Sequence, residues 1–260
     1  MELYFDNELN ILKDIHELSP SECCIISDRE GSKNYLKAVR IIDRILGDKT
    51  ISNWVDNSKS NFPPDLINEK DALIMEVMRI DDHSPDGKNN PSLARQREMG
   101  REAKPLLEQM PASVRFIANA VTDLPTDEDH NYKFYYSSFQ RTVAKHLSKL
   151  EKYKKNYPNK KVIFLVFDET SGVYCERASI NGNELKARLH FPFCDNRFLN
   201  VFINSDLDYL LWYIPYNHYR TLGDHLVLPR LILIDVKNAR NGDMLQRLDY
   251  DEERMMSNER

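Results

Sequence analysis

Phe62-Pro63-Pro64-Asp65-Leu66-Ile67-Asn68-Glu69-Lys70-Asp71-Ala72-Leu73-Ile74-Met75-Glu76-Val77-Met78-Arg79-Ile80 reads as strand, polar turn, strand. The turn covers Asn68 to Asp71. The second strand, 72 to 80, is apolar on both faces around Glu76, the pattern of a strand in the middle of a sheet. A lone charge buried there costs several kcal/mol unless it is paired or bound to a metal. Glu76 therefore needs a cation, an Arg or Lys, or a proton. Asp65 lies on the adjacent strand, where the two carboxylates could share one divalent ion.

The arrangement resembles the PD-(D/E)XK nuclease superfamily. There an Asp after a Pro, and a Glu or Asp one strand on, ligate Mg²⁺, while a Lys two residues later orients the attacking water. The resemblance covers about twenty residues. It implies Asp65 and Glu76 as ligands of Mg²⁺ or Mn²⁺, with the Val77 carbonyl as a third, since hard cations take oxygen ligands. Met78 stands where the family has its lysine. A thioether can neither polarise a water nor neutralise a phosphate, so a displaced basic group is required for activity. Lys70, in the turn between the two acid-bearing strands, is the first choice. Arg79 alternates to the face opposite Glu76 and is the poorer one. Pro85-Asp86, in a loop that leads to no strand, shows how readily the dipeptide alone arises.

Context adds to the motif. Ser32 N-caps an expected helix over 33 to 46, with Leu36, Val39, Ile42 and Leu46 on one face and Gly47 after its end. An earlier helix is expected over 7 to 18, and Cys23-Cys24-Ile25-Ile26 between them as a short strand. After the strand pair, Tyr136, Phe139, Val143, Leu147, Leu150 and Tyr153 recur at helical steps. Gln140 and His146 flank that stripe, where the resembling superfamily sometimes carries a site-edge residue; a half-buried helix histidine is the plainer reading of His146. Pro158 closes the helix, and Lys161-Val162-Ile163-Phe164-Leu165-Val166-Phe167-Asp168-Glu169 follows as a buried strand parallel to a neighbour. Helix, strand pair, helix, strand is the order the superfamily's core requires.

Charge is unevenly spread. The chain is net −5, yet between Arg141 and Lys161 eight basic residues meet one acid, Glu151. Lys149, Lys152 and Lys155 are the candidates for phosphate contact with DNA or RNA, against the reading of a solvated helix face. Glu22 and Glu30 are further acids with no spacing argument. Asp82-His83 and Asp129-His130 read as loop polarity.

The remaining chain reads as more α+β structure. A hairpin turning at Asn181-Gly182 is expected, then a helix capped by Ser205 and holding Leu207, Tyr209, Leu210, Leu211 and Trp212, then a strand over 230 to 236. Tyr213, Tyr216, Tyr219 and Arg220 either stack on bases or close the core. Residues 81 to 132 form an insertion with a polar helix over 92 to 103. One elaborated domain over 1 to 248 is favoured, with a frayed charged tail over 249 to 260.

The eight glycines form no Gly-x-Gly or Gly-x-x-x-x-Gly-Lys arrangement, which excludes the dinucleotide fingerprint and the P-loop. Nor is there a Gly-x-Ser-x-Gly elbow or a His-Glu-x-x-His helix. Four cysteines without zinc spacing point to reduced thiols. The absence of a long apolar run or a leader-like N-terminus predicts a cytoplasmic chain with no membrane partner. Three function classes remain: a metal-dependent nuclease-like phosphodiesterase, an inactive nuclease-like module binding nucleic acid or a protein partner, and an unrelated α+β interaction protein.

Overall fold

The computed structural model describes residues 8–46, 51–57, 63–83, 101, 131–170, 172–180, 183–216, 229–242 and 245–257. Most of the 81–132 insertion, including the expected 92–103 helix, lies outside these residues, as do Gly47, Asn181-Gly182, Tyr219 and Arg220.

The architecture is mixed α+β. A seven-stranded mixed sheet is built from β1 (Cys23–Ile26), β2 (Trp54–Asp56), β3 (Leu66–Asn68), β4 (Leu73–Ile80), β5 (Lys161–Asp168), β8 (Tyr209–Tyr213) and β9 (Leu231–Asp235). Its spatial order is β1-β9-β8-β5-β4-β3-β2. β2, β3 and β4 form an antiparallel meander, and β4, β5 and β8 run parallel. The parallel step from β4 to β5 requires a crossover, which α3 (Tyr132–Leu147) and α4 (Leu150–Asn156) supply. At the β3–β4 turn the Asn68 side chain accepts from the Asp71 N–H at 2.9 Å and donates to the Asp71 carboxylate at 3.1 Å, so the polar turn is closed by its own residues.

Alternation divides the sheet residues between two apolar layers. Leu73, Met75, Ile163, Leu165, Leu211 and Leu233 face α1 (Glu8–His16) and α2 (Lys33–Leu46). Ile74, Met78, Val162, Phe164, Leu210 and Ile232 face α3, α4, α5 (Asn196–Phe202) and α6 (Val236–Ala239). The Tyr35 N–H donates to the Ser32 hydroxyl at 3.1 Å, so Ser32 caps α2 as expected. The face α2 buries is Ala38, Ile41, Ile42 and Ile45, however, and Leu36 is 50% exposed. Of the expected stripe Ile42 lies in that buried set, while Val39 is only half-buried; the buried face follows the same period one step round the helix.

Three further expectations are corrected. Leu207 to Trp212 do not form a helix: residues 209–213 are strand β8, buried at every position between β5 and β9. A run that is apolar throughout carries no period, and its short length is the cue for a strand. The helix of this region lies upstream as α5, whose N-cap Asp195 accepts from the Arg197 N–H at 2.8 Å. The expected single helix through Tyr153 is two, parted at Ser148-Lys149. The tail is not frayed throughout, since β10 (Met255–Ser257) pairs with β6 (Tyr174–Ile180), which also pairs with β7 (Asn183–Leu189), to make a second, three-stranded sheet.

Candidate functional site

Glu76 sits mid-strand on β4, 6% exposed, on the face covered by α3 and α4. Leu66 pairs with Met75, and continuing that register by one residue sets Asp65 opposite Glu76 on the same face. Directly opposed side chains on antiparallel strands begin about 5 Å apart at Cβ. The Val77 N–H donates to Asp65 Oδ2 at 2.7 Å, which fixes one oxygen of that carboxylate. Asp65 is held from the other side too, its carbonyl accepting from the Asn57 N–H at 2.7 Å. Val77, expected to offer its carbonyl, thus meets Asp65 through its N–H.

Burial first, and the Glu76 charge second, push the Asp65 carboxyl up to about 6; Glu8 at the start of α1 adds to the rise, and the Val77 bond and His146 oppose it. Burial and the neighbouring Glu76 charge thus both disfavour the ionised form of Asp65. Glu76 Oε2 is buried with no hydrogen-bond partner. Its Oε1 lies 2.9 Å from His146 Nδ1, close in distance but not aligned as a hydrogen bond, because that nitrogen too is without a hydrogen-bond partner. The Tyr153 hydroxyl, buried on α4, lies beside the Glu76 carboxylate. Burial first, then the Glu76 charge, a hydrogen bond to the Glu76 carboxylate and the Asp65 charge hold it firmly as the neutral phenol.

The site thus gathers Asp65, Glu76, His146, Tyr153 and, by its field, Glu8. His146 is half-buried on α3, as expected, with its Nδ1 2.9 Å from Glu76 Oε1. Tyr153 was visible only as a core position, and Glu8 not at all: its approach depends on how α1 lies against the sheet. Gln140 is exposed, on the side of α3 turned away from the sheet.

The other expected residues lie elsewhere. Lys70 is exposed at the tip of the β3–β4 turn, and Glu76 lies three residues beyond Leu73, about 10 Å further along the strand. Met78 is 2% exposed within the apolar cluster that includes Phe139 and Phe164, so its position is core. Arg79 pairs with Glu169 at 2.9 Å. Glu22 is bound to Ser19 and paired with Arg230, and Glu30 is exposed. Lys152 and Lys155 are exposed and Lys149 half-exposed, while Lys160 and Lys161 of the same basic run are tied to Glu69 and Asp208. Tyr213 is core and Tyr216 is 39% exposed.

Among the described residues no group of three His, Cys, Asp or Glu side chains is arranged to hold a metal ion. What the chain offers is narrower: two opposed carboxylates, one with a buried unpartnered oxygen. That suits a hard cation such as Mg²⁺, which binds through one or two carboxylates and keeps several waters.

A second group of buried acids occupies the C-terminal ends of β4 and β5. Asp168 accepts from the hydroxyls of Tyr135 and Thr170 and from Trp212 Nε1 at 2.9 Å. Asp82 accepts from the Tyr174 hydroxyl and is buried, which corrects the surface-loop reading of Asp82-His83; Asp129-His130 lies outside the described residues. Asp195 Oδ2 meets the Tyr132 hydroxyl and His190 Nε2, the latter at 2.9 Å. Burial drives His190 toward its neutral form, while His190 and Tyr132 hold Asp195 below the usual carboxylate range against its own burial.

No family model matches the chain, and no curated protein or solved structure matches it. No described helix is long and apolar enough to cross a membrane.

Proposed function

We propose that the chain is a nuclease-like protein in which Asp65 and Glu76 hold Mg²⁺ or Mn²⁺ and act on the phosphodiesters of DNA or RNA. One observation carries the reading: Glu76 keeps a buried oxygen with no donor aligned on it while the carboxyl opposite is pushed up, by burial first and by the Glu76 charge second. Leaving a buried acceptor without a donor costs about 1–3 kcal/mol, and a cation between the two acids removes that cost and their repulsion together. The succession of α2, meander, α3–α4 and β5 supports the same reading, being the order the resemblance calls for. Such a cation activates water and neutralises charge that develops on a phosphate. Lys149, Lys152 and Lys155 would contact the flanking backbone, with affinity that falls as salt rises.

A second reading, binding of nucleic acid or a protein partner without cleavage, is favoured by two residues. Met78 is core, and Lys70 is exposed at the turn, so neither supplies the basic group the chemistry asks for. Incubation with plasmid and with single-stranded DNA and RNA in Mg²⁺ or Mn²⁺ separates the readings. Metal-dependent cleavage that disappears in Asp65→Ala is the expected result. Salt-sensitive binding without cleavage supports the second reading, and neither activity leaves an interaction protein.

A further inference from the structure

Lys161 opens β5, Lys237 lies on α6 and Lys154 on α4, yet the three side chains converge on one short loop. At its end stands Asp208, 6% exposed and just before β8. Asp208 Oδ2 accepts from the Val162 N–H at 3.1 Å, and Oδ1 takes Lys161 Nζ at 3.0 Å and Lys237 Nζ at 3.4 Å. Lys154 Nζ donates to the Asp206 carbonyl two residues earlier. The Arg240 guanidinium holds the start of the same loop, donating to the carbonyls of Ile203 and Ser205 at 2.8 Å each. Four cations thus gather at a loop that carries two acids, Asp206 and Asp208.

The fold needs fewer. Burial would raise the Asp208 carboxyl, but the Val162 N–H and Lys161 already hold it below the usual carboxylate range. Lys237 adds a like charge beside Lys154: burial first lowers the Lys154 ammonium, Asp208 opposes the fall, and Lys237 deepens it. Two ammonium groups side by side, one of them partly desolvated, disfavour each other's charge unless an anion joins them. The side chains of Lys161 and Lys237 are 57% and 46% exposed, so a solute can reach the cluster.

We infer that Lys154, Lys161 and Lys237 form a site for a phosphate group, which lies on the solvent side of Asp208 and bridges the Lys154 and Lys237 ammonium groups. Lysine binds phosphate as a compact point charge. The inference does not rest on the cation reading: Glu76 pairs with Phe164, three residues and about 10 Å along β5 from Lys161. A nucleic-acid backbone and a small phosphate ester present the same oxygens to such a site.

The test is titration calorimetry of the full chain at low salt and in chelator, with pyrophosphate in one arm and a single-stranded oligonucleotide in the other. The proteins are wild type, Lys154→Gln, Lys237→Gln and the variant carrying both changes. Lys33→Gln with Lys37→Gln is the control, removing the same charge from exposed positions on α2 at the other face of the sheet. The double variant should lose affinity by about ten-fold or more in at least one arm, while the control stays within about two-fold of the wild type. Ligand-free, the double variant should melt with the wild type, since Lys161 and the Val162 N–H still serve Asp208; if it does not fold, the single variants decide. A loss confined to pyrophosphate assigns the site to a small phosphate ester, and a loss in the oligonucleotide arm assigns it to a backbone phosphate. A wild type that binds neither probe, or lysine variants that bind both as tightly as the control, overturns the inference and leaves the cation reading to its own test.

Discussion

Two groups of acids are buried against opposite ends of α3, and they are finished differently. At its N-terminal end Asp168, Asp82 and Asp195 receive donors from Tyr135, Trp212, Thr170, Tyr174, Tyr132 and His190. At its C-terminal end one oxygen of Glu76 has no donor aligned on it, and the neighbours of that carboxylate are His146 and Tyr153. A polar group that serves the fold is satisfied by the fold. One that the fold leaves incomplete calls for a further partner, a water or a ligand. The first cluster fastens α3, the β6–β7 hairpin and α5 to the ends of the parallel strands; the second is where chemistry is expected.

Removing a partner from the satisfied cluster should therefore do most damage. Asp195→Ala strands the Tyr132 hydroxyl, His190 Nε2 and the Arg197 N–H together, and should cost at least about 3 kcal/mol in urea unfolding. A loss under 1 kcal/mol would mean that the cluster is not what fastens these elements. Met78→Lys should cost a similar amount, because it buries an ammonium in an apolar cluster; restored stability on adding metal would contradict the core assignment of that position. Glu76→Gln, by contrast, removes a charge that has no complete set of partners. Without metal it should shift stability by only about 1 kcal/mol or less.

The acid pair also predicts a pH dependence. The Asp65 carboxyl is raised to about 6 in the fold, so folding favours its protonated form. Its contribution is present below the ordinary carboxylate range near 4 and is lost as pH rises through 6. In chelator, unfolding free energy measured from pH 4 to 7 should fall less steeply in Asp65→Asn than in the wild type. Asp168, also raised to about 6, contributes the same slope in both proteins and leaves the difference to Asp65. Identical slopes would mean that the fold does not raise the Asp65 carboxyl. Lys70→Ala should do least, moving neither stability nor Mn²⁺ affinity beyond about 0.5 kcal/mol, and a clear loss of metal-dependent cleavage in it would restore Lys70 to the site.

The meander was legible because Asn68 to Asp71 punctuate it and Glu76 interrupts an otherwise apolar run, while β5 announced itself by length and β-branched content. β8 was not legible, since five residues buried on both faces show neither a period of two nor of 3.6. α5 left a signal that a closer reading would use: Asp195 as cap, then Phe198, Leu199 and Phe202 at helical spacing. At the site, Asp65 and Glu76 follow from the strand register, and His146 from its place on the crossover helix. Glu8 and the role of Tyr153 depend on how helices lie across the sheet, which local spacing does not encode. The tail's pairing with β6 is equally a long-range fact, made between residues about eighty positions apart.

The most direct test is the melting temperature of the wild type and Glu76→Gln above pH 7, in chelator and then in rising Mn²⁺. A ligand that binds only the folded state stabilises it by about 2.7 kcal/mol at a hundred times its dissociation constant. The account predicts a wild-type melting temperature that climbs with Mn²⁺ while that of Glu76→Gln stays flat. Two curves that stay flat together, or climb together, would contradict it.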